Sequence, residues 1–467
     1  MKLYNTLTKR KDELITEGNE LTMYACGPTV YDYAHLGHAR SELVFDIIYR
    51  YLTFRGFRVR FVHNLTDVDD KIIKRAREEK KTEKEIAERF TQAYLEDMRA
   101  LGAKKALEYP QGWPRATEYI PQMVKFIEEL VKKGFAYEAD GDVYFEVEKF
   151  KEYGKLSGQP IEQLQSGARV AVGEKKKNPL DFALWKSAKE GEPSWESPWG
   201  RGRPGWHIEC STMCKECFLG VATIDIHGGG KDLIFPHHEN EIAQSEARSG
   251  KQFARFWIHN GFININKEKM SKSLGNFLTI RDILKNHSAQ AVRMLVLNTQ
   301  YSGPIDFEPA LLEQAQKNFE TLSTSVLLAR EALNRAKGGK EANLEKRAEE
   351  LKQKFIDSMD DDFNSPFALA ALFEFASELN KHSALGAQAS SLSLQQALST
   401  FEELAGSIGL FFKKKEEIPE NISKLAEERE DARKSKDWKR ADEMRAKLAE
   451  LGYELQDSKD GVKIRKK

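Results

Sequence analysis

The sequence predicts an α/β protein whose parallel sheet is split by an insertion and followed by helices, and three observations predict it. Between residues 21 and 101, short apolar runs alternate with longer stretches of helical periodicity. From 103 to 205 the alternation stops, and Pro110, Pro114, Pro193, Pro198 and Pro204 break the chain into loops. After Tyr301, Ala, Leu, Glu and Lys recur at helical spacing to about residue 412. Alternating strands and helices make a parallel sheet with helical crossovers, whereas an unbroken helical run makes a bundle.

In order, residues 21–26 read as a strand, 41–52 as an amphipathic helix, 57–62 as a strand and 70–99 as a charged helical stretch, together one βαβ half. Within the insertion only 142–147 is strand-like. Apolar runs at 222–227 and 256–259 supply the second half. In the helical part, Gly338-Gly339 and the serine-rich 390–393 read as loops. Met359-Asp360-Asp361-Asp362-Phe363-Asn364-Ser365-Pro366 reads as a helix start, with an Asp-rich lead-in for capping and Pro366 in the first turn. The end, 418–467, is charged and helical to Leu451, then changes at Gly452-Tyr453-Glu454-Leu455 into a small mixed unit. The expected domains are 1–102 with 206–300 as the split sheet, 103–205 as the insertion, 301–415 as the helical domain and 416–467 as the C-terminal unit. There is no internal repeat.

His35-Leu36-Gly37-His38 follows the first strand, and Lys269-Met270-Ser271-Lys272-Ser273 comes more than 200 residues later. The first predicts a strand, a tight turn through Gly37 and a helix. Phosphates favour such a helix start, because its free N–H groups and dipole face them. His35 and His38 would add hydrogen bonds to a phosphoryl group as charge builds. Lys269 and Lys272, on a loop bounded by Ser and Gly, would close over the outer phosphates as point charges. Alone, a histidine in a turn is an ordinary polar group and a Lys-Ser loop a solvated surface. Their order and separation suit one split, Rossmann-like fold holding ATP between two loops.

Forty per cent of the 467 residues are hydrophobic, and 73 Lys plus Arg balance 73 Asp plus Glu. A zero net charge does not exclude an RNA partner, since a local basic surface is enough. Residues 1–5 carry no apolar leader core and no run approaches ~20 apolar residues, which predicts a cytoplasmic chain with no membrane partner. Cys26, Cys210, Cys214 and Cys217 are then candidates for metal binding or burial rather than disulfides. His237 and Glu241, four apart, would share a helix face opening after Pro236, and His238 with Glu241 would serve nearly as well. Cys210-x3-Cys214-x2-Cys217 is a rival knuckle one ligand short, with His207 or His227 as the fourth.

Four longer segments carry a resemblance: Cys26-Gly27-Pro28-Thr29-Val30-Tyr31-Asp32, Asn64-Leu65-Thr66-Asp67-Val68-Asp69-Asp70-Lys71, Gly205-Trp206-His207-Ile208-Glu209-Cys210-Ser211 and Phe235-Pro236-His237-His238-Glu239-Asn240-Glu241. With the two ATP motifs, the chain resembles the class I aminoacyl-tRNA synthetases, and more narrowly the cysteinyl-tRNA synthetases, nearly end to end. The resemblance implies ligation of L-cysteine to tRNA(Cys) through a cysteinyl-adenylate, with Mg2+ accompanying ATP. It implies one Zn2+ on Cys26, Cys210, His237 and Glu241 that takes the substrate thiolate, leaving Cys214 and Cys217 as buried thiols. It implies substrate contacts from Gly27, Thr29, Thr66, Trp206 and Asp232, with plain core the competing reading of Trp206. A monomer is expected. Trp438 among Lys436, Lys439 and Arg440, with Lys463, Arg465, Lys466 and Lys467, fits a surface for an unstacked base; a solvated helix with Trp438 packed inward fits as well. The alternative activity is a cysteine ligase acting on a sugar amine, which would not need residues 301–467. Truncation after Tyr301 is expected to spare adenylation.

Overall fold

The computed structural model describes residues 1–16, 18–104, 113–159, 175–265, 268–269, 278–412, 419–458 and 461–466. The chain divides into two compact units, Met1–Phe411 and Phe412–Lys467.

In the first, a hairpin of β1 (Lys2–Asn5) and β2 (Arg10–Glu13) leads into β3 (Glu20–Ala25), α1 (Leu36–Phe54) and β4 (Arg58–His63). Helix α1 starts at Leu36, so Gly37 is a helical residue and not a turn. The chain reverses earlier, between Cys26 and His35, and His35 caps the helix with its own side chain. The charged stretch at 70–99 is two helices, α2 (Asp70–Glu79) and α3 (Glu83–Ala100). Lys80 in the left-handed region (φ 53°) ends the first, and a Thr82–Glu85 capping box opens the second.

The insertion contributes α4 (Ile120–Lys132) and an antiparallel sheet in the order β5 (Ala136–Ala139), β6 (Asp142–Phe145), β7 (Phe182–Ser187), β8 (Gly202–Pro204). Only β6 was legible beforehand. No period of two is readable in the other three: β5 and β8 are only four and three residues long, and β7 opens on the unbroken apolar run Phe182-Ala183-Leu184-Trp185. The chain returns through α5 (Trp206–Cys217), β9 (Ile224–Gly230), α6 (Glu239–Ser249) and β10 (Ala254–Asn260). All four main strands are parallel, in the order β10-β9-β3-β4. Strand β3 joins the halves: it pairs with β4 on one side and with β9 on the other, Ala25 lying opposite Gly228. That glycine has a packing reason, since a Cβ on Gly228 would fall 2.5 Å from the Phe45 ring of α1.

A short sheet of β11 (Ile263–Ile265), β12 (Glu268–Lys269) and β13 (Ile305–Phe307) follows, with α7 (Ile280–Leu284) and α8 (Ala289–Leu297) between its last two strands. Then come α9 (Pro309–Leu333), α10 (Ala342–Asp360), α11 (Ser365–Ser383) and α12 (Ser391–Ser407). The serine-rich 390–393 is mostly not loop: Ser390 is the N-cap of α12 and accepts from the Ser393 amide. In the Asp-rich segment, Asn364 caps α11, while Asp362 accepts from the Tyr4 amide (2.8 Å) and the Tyr301 hydroxyl (2.9 Å). Asp360 accepts from the Tyr51 hydroxyl at 2.6 Å, and Arg293 meets Asp46 at 2.6 Å with both side chains fully buried. These ties hold the helices to the sheet inside one compact unit.

In the second unit, α13 (Glu420–Lys434) and α14 (Trp438–Glu450) pack with the hairpin β14 (Tyr453–Ser458) and β15 (Gly461–Lys466) around Ile422, Ala426 and Leu448. Trp438 is 60% exposed, against the inward-packed reading. No described helix is long and apolar enough to cross a membrane.

Candidate active site

Four strand ends converge on one cleft of about 340 Å³. Cys26 follows β3, His63 ends β4, Gly230 ends β9 and Asn260 ends β10, and all four line it. Ligands of open parallel sheets bind in this crevice beyond the carboxyl ends of the strands.

On one flank lie His35 and His38. The Gly37 amide donates to His35 Nδ1 at 3.0 Å, and the His35 amide donates to His38 Nδ1 at 3.2 Å. The rings stack with centroids 3.9 Å apart. Because each Nδ1 accepts, the proton of each neutral ring is on Nε2. Burial, then the neighbouring His35 and Lys71, pushes the His38 pKa well below the ordinary imidazole value. His38 is therefore a neutral donor. A Cβ on Gly37 would stand 2.8 Å from the His35 ring, which accounts for the glycine. The buried Arg40 bonds the carbonyls of Phe262, Tyr301 and Gly303, tying α1 to the start of the strand that leads toward the lysine loop. Lys272 lies outside the described residues, and of Lys269 only the backbone, in β12, is described.

On the other flank, Cys26, Cys210, His237 and Glu241 are all buried and each offers a ligand atom, all within 4.8 Å of one another. Glu241 Oε1 lies 3.2 Å from Cys26 Sγ and 3.0 Å from His237 Nε2. The segment Ile234–His238, kinked at the extended Phe235, runs into α6 and places His237 3.0 Å from Glu241. A second set, Cys26, His227, His238 and Glu241, meets the same criterion. The sequence left His237 and His238 equivalent, and in the structure their rings point different ways. His237 stacks on Trp206 at 4.2 Å beside the cleft, whereas His238 turns to His259 at 2.8 Å. Hydrogen bonding from Cys26 brings the Cys210 thiol down to about 6, whereas burial and then Cys210 raise Cys26. Burial opposes charge on His237, but Glu241 and Cys210 hold it up at about 10. Two thiols, an imidazole and a carboxylate, all buried, form a donor set that suits a divalent cation, and the second oxygen of that carboxylate, Glu241 Oε2, lies 3.1 Å from His227 Nε2. Cys214 is fully buried outside both sets, and Cys217 is half-buried, 3.5 Å from the Tyr119 hydroxyl.

The remaining expected residues lie around the same cleft. The Gly27 amide donates to Asn64 Oδ1 at 2.9 Å, and a Cβ there would fall 1.7 Å from the Asn64 carbonyl. Thr29 pairs with Thr66, whose hydroxyl donates to the buried Glu209 at 3.0 Å. Trp206 opens α5 and is 39% exposed, so it is not core. Asp232 lines the cleft opposite, in a turn after β9. Sequence reading passed over His63, Asn64, Glu209 and His259. Asn64 and Glu209 lay inside the quoted segments, but nothing in their spacing marks which polar residue turns inward.

Residues 13–317 match the family model of the tRNA synthetases class I (C) catalytic domain, 354–413 the DALR domain, and 415–465 the cysteinyl-tRNA ligase anticodon binding domain. A cysteine–tRNA ligase of Anoxybacillus flavithermus is 49% identical over 470 aligned residues, covering 100% of this chain and 99% of the relative. The fold is similar to Mycobacterium tuberculosis methionyl-tRNA synthetase in complex with methionyl-adenylate (TM-score 0.61, 14% identity, 84% of this chain and 89% of that one). It is also similar to the Agrobacterium radiobacter K84 LeuRS in its ternary complex with tRNA and LeuAMS (0.60, 12%, 84% and 86%). A catalytic-domain match over more than half the chain, a full-length relative at near half identity and a metal-competent cluster beside paired histidines agree: the chain belongs to the cysteine–tRNA ligase family of class I tRNA synthetases.

Proposed function

We propose that the chain joins L-cysteine to tRNA(Cys) at the expense of ATP, through a cysteinyl-adenylate made in this cleft, as a cytoplasmic monomer. The observation that carries this is adjacency: Cys26 of the metal-competent cluster and His35 and His38 of the phosphate flank line one cavity. Zn2+ on Cys26, Cys210, His237 and Glu241 would bind the substrate sulfur as thiolate, which a serine hydroxyl cannot match at neutral pH. This set is preferred to that of His227 and His238 because His237 stacks on Trp206, which lines the cleft, whereas His238 turns away to His259. Gly27, Thr29, Thr66, Trp206 and Asp232 would hold the amino acid so that its carboxylate meets the α-phosphate. His35 and His38 donate from Nε2 to the phosphoryl oxygens as the carboxylate attacks, and the N-terminus of α1 adds its dipole. Lys269 and Lys272 close from the opposite loop, and pyrophosphate leaves. Mg2+ is expected with ATP.

The split sheet, 1–102 with 206–300, would carry adenylation. Residues 301–415 and 416–467 would contact tRNA, which a ligase acting on a sugar amine would not require. Cysteine-dependent ATP–pyrophosphate exchange followed by acceptor competition tests the reading. Charging of tRNA(Cys) is expected, and preferential transfer to a sugar amine would overturn it.

A further inference from the structure

A third imidazole lines the cleft. His63, at the end of β4, is 2% exposed, and its Nδ1 stands 2.8 Å from Oε2 of Glu42, a fully buried residue of α1 one turn after His38. The same oxygen accepts from the Tyr94 hydroxyl at 3.4 Å. Trp113 stacks on the His63 ring at 4.9 Å, and Gly27 admits its other edge, since a Cβ built there would lie 3.1 Å from His63 Cδ2. The Nδ1 to carboxylate contact is close but off-axis, short of hydrogen-bond geometry. Two buried acceptors at that separation would nevertheless repel without partners, so the proton sits on Nδ1. His63 lines the cleft, and with Nδ1 turned to Glu42 the ring nitrogen left for a ligand there is Nε2, which carries the lone pair. His35 and His38 are arranged the opposite way, each Nδ1 accepting a backbone N–H and each Nε2 donating. Of these three rings, His63 is the one whose cleft-side nitrogen accepts a proton.

We propose that His63 is the general base of aminoacyl transfer and that Glu42 is its positioning residue. This rests on the ligase reading above. Adenylate formation has no proton to remove, because the attacking carboxylate is ionised. Transfer has one: the tRNA terminal ribose hydroxyl bonds to the cysteinyl carbonyl carbon, the bond from that carbon to the AMP phosphate oxygen breaks, and AMP leaves with its electron pair. The hydroxyl proton passes to His63 Nε2, and the Glu42 carboxylate stabilises the resulting imidazolium.

The test uses the full chain, His63→Gln and Glu42→Gln. One measurement is cysteine-dependent ATP–pyrophosphate exchange. The other is single-turnover transfer from preformed enzyme-bound cysteinyl-adenylate to a tRNA(Cys) transcript. A lost general base costs roughly 10²–10⁴-fold. Both variants are expected to slow transfer by about 10²-fold or more while exchange changes by far less. Glu42→Gln acts because it removes the negative charge that stabilises the imidazolium formed when His63 takes the proton. Parallel loss of exchange and transfer in His63→Gln would overturn the proposal, as it would place the ring in activation, in uptake of the thiol proton or in the fold. Parent-like transfer in His63→Gln would also overturn it, whether or not Glu42→Gln folds. A parent chain without cysteine-dependent exchange would instead overturn the ligase reading.

Discussion

Cys210→Ser isolates the thiol-recognition step. Cys210 is 2% exposed, and its sulfur belongs to a set of four buried ligand atoms within 4.8 Å of one another. A hydroxyl is uncharged at neutral pH and a weak zinc donor. Binding of about 10–16 kcal/mol shared among four ligands puts one of them at roughly 3–4 kcal/mol, or about 10²–10³-fold in zinc affinity. The fold should survive, because the substitution is small and Cys210 also touches Asn64 Oδ1 only at 3.7 Å. Without zinc, cysteine and serine differ by one atom in a cleft walled by Trp206 and Gly27, and packing alone separates them by about 1–3 kcal/mol. The assay combines zinc content per chain, nucleotide binding and exchange rates with cysteine and with serine. The expected result is substoichiometric zinc, retained ATP binding, loss of cysteine activation and a collapse of the cysteine-over-serine ratio to about 10–10². A folded, zinc-free variant with the parent ratio would refute the reasoning.

Two further outcomes follow from the division into units and from the buried ion pair of α1. Removing residues 413–467 should spare exchange and lower tRNA charging, read as charging efficiency at fixed exchange rate. The cut belongs there and not after Tyr301, because Asp360 and Asp362 bond to Tyr51, Tyr4 and Tyr301 and so tie the later helices to the earlier part of the same unit. Asp46→Asn should cost about 3–5 kcal/mol, since it leaves the buried Arg293 guanidinium facing a neutral amide and weakens the bonds from Arg50 and the Lys104 amide. Burial works against charge on Asp46, but Arg293 and Arg50 hold its pKa below the ordinary value. A depressed carboxylate contributes stability above its unfolded pKa of about 3.9 and loses it as pH falls through the folded value. The deficit of Asp46→Asn in urea midpoint should therefore be constant near neutrality and shrink only below about pH 4; a deficit of equal size at the acid limit would contradict it.

The sequence by itself determined the class of fold, because apolar period is a local property: the runs at 21–26, 222–227 and 256–259 announced strands β3, β9 and β10 to within a few residues. It also determined the chemistry on offer, since residue type fixes whether a group can ligate a metal or donate to a phosphate. Boundaries set by side-chain capping were less visible. Nothing local says that His35 would cap α1 and draw Gly37 into the helix, or that Ser390 would begin α12. Long-range pairing was out of reach of any window: β3 meets β9 across nearly 200 residues, which brings Cys26 to Glu241, and it meets β4 on its other side, which brings Gly27 to Asn64. The choice between His237 and His238, which the spacing left open, has a geometric basis only in the fold. There His237 faces Trp206 beside the cleft and His238 turns to His259, since neighbours in sequence point apart once the backbone is placed.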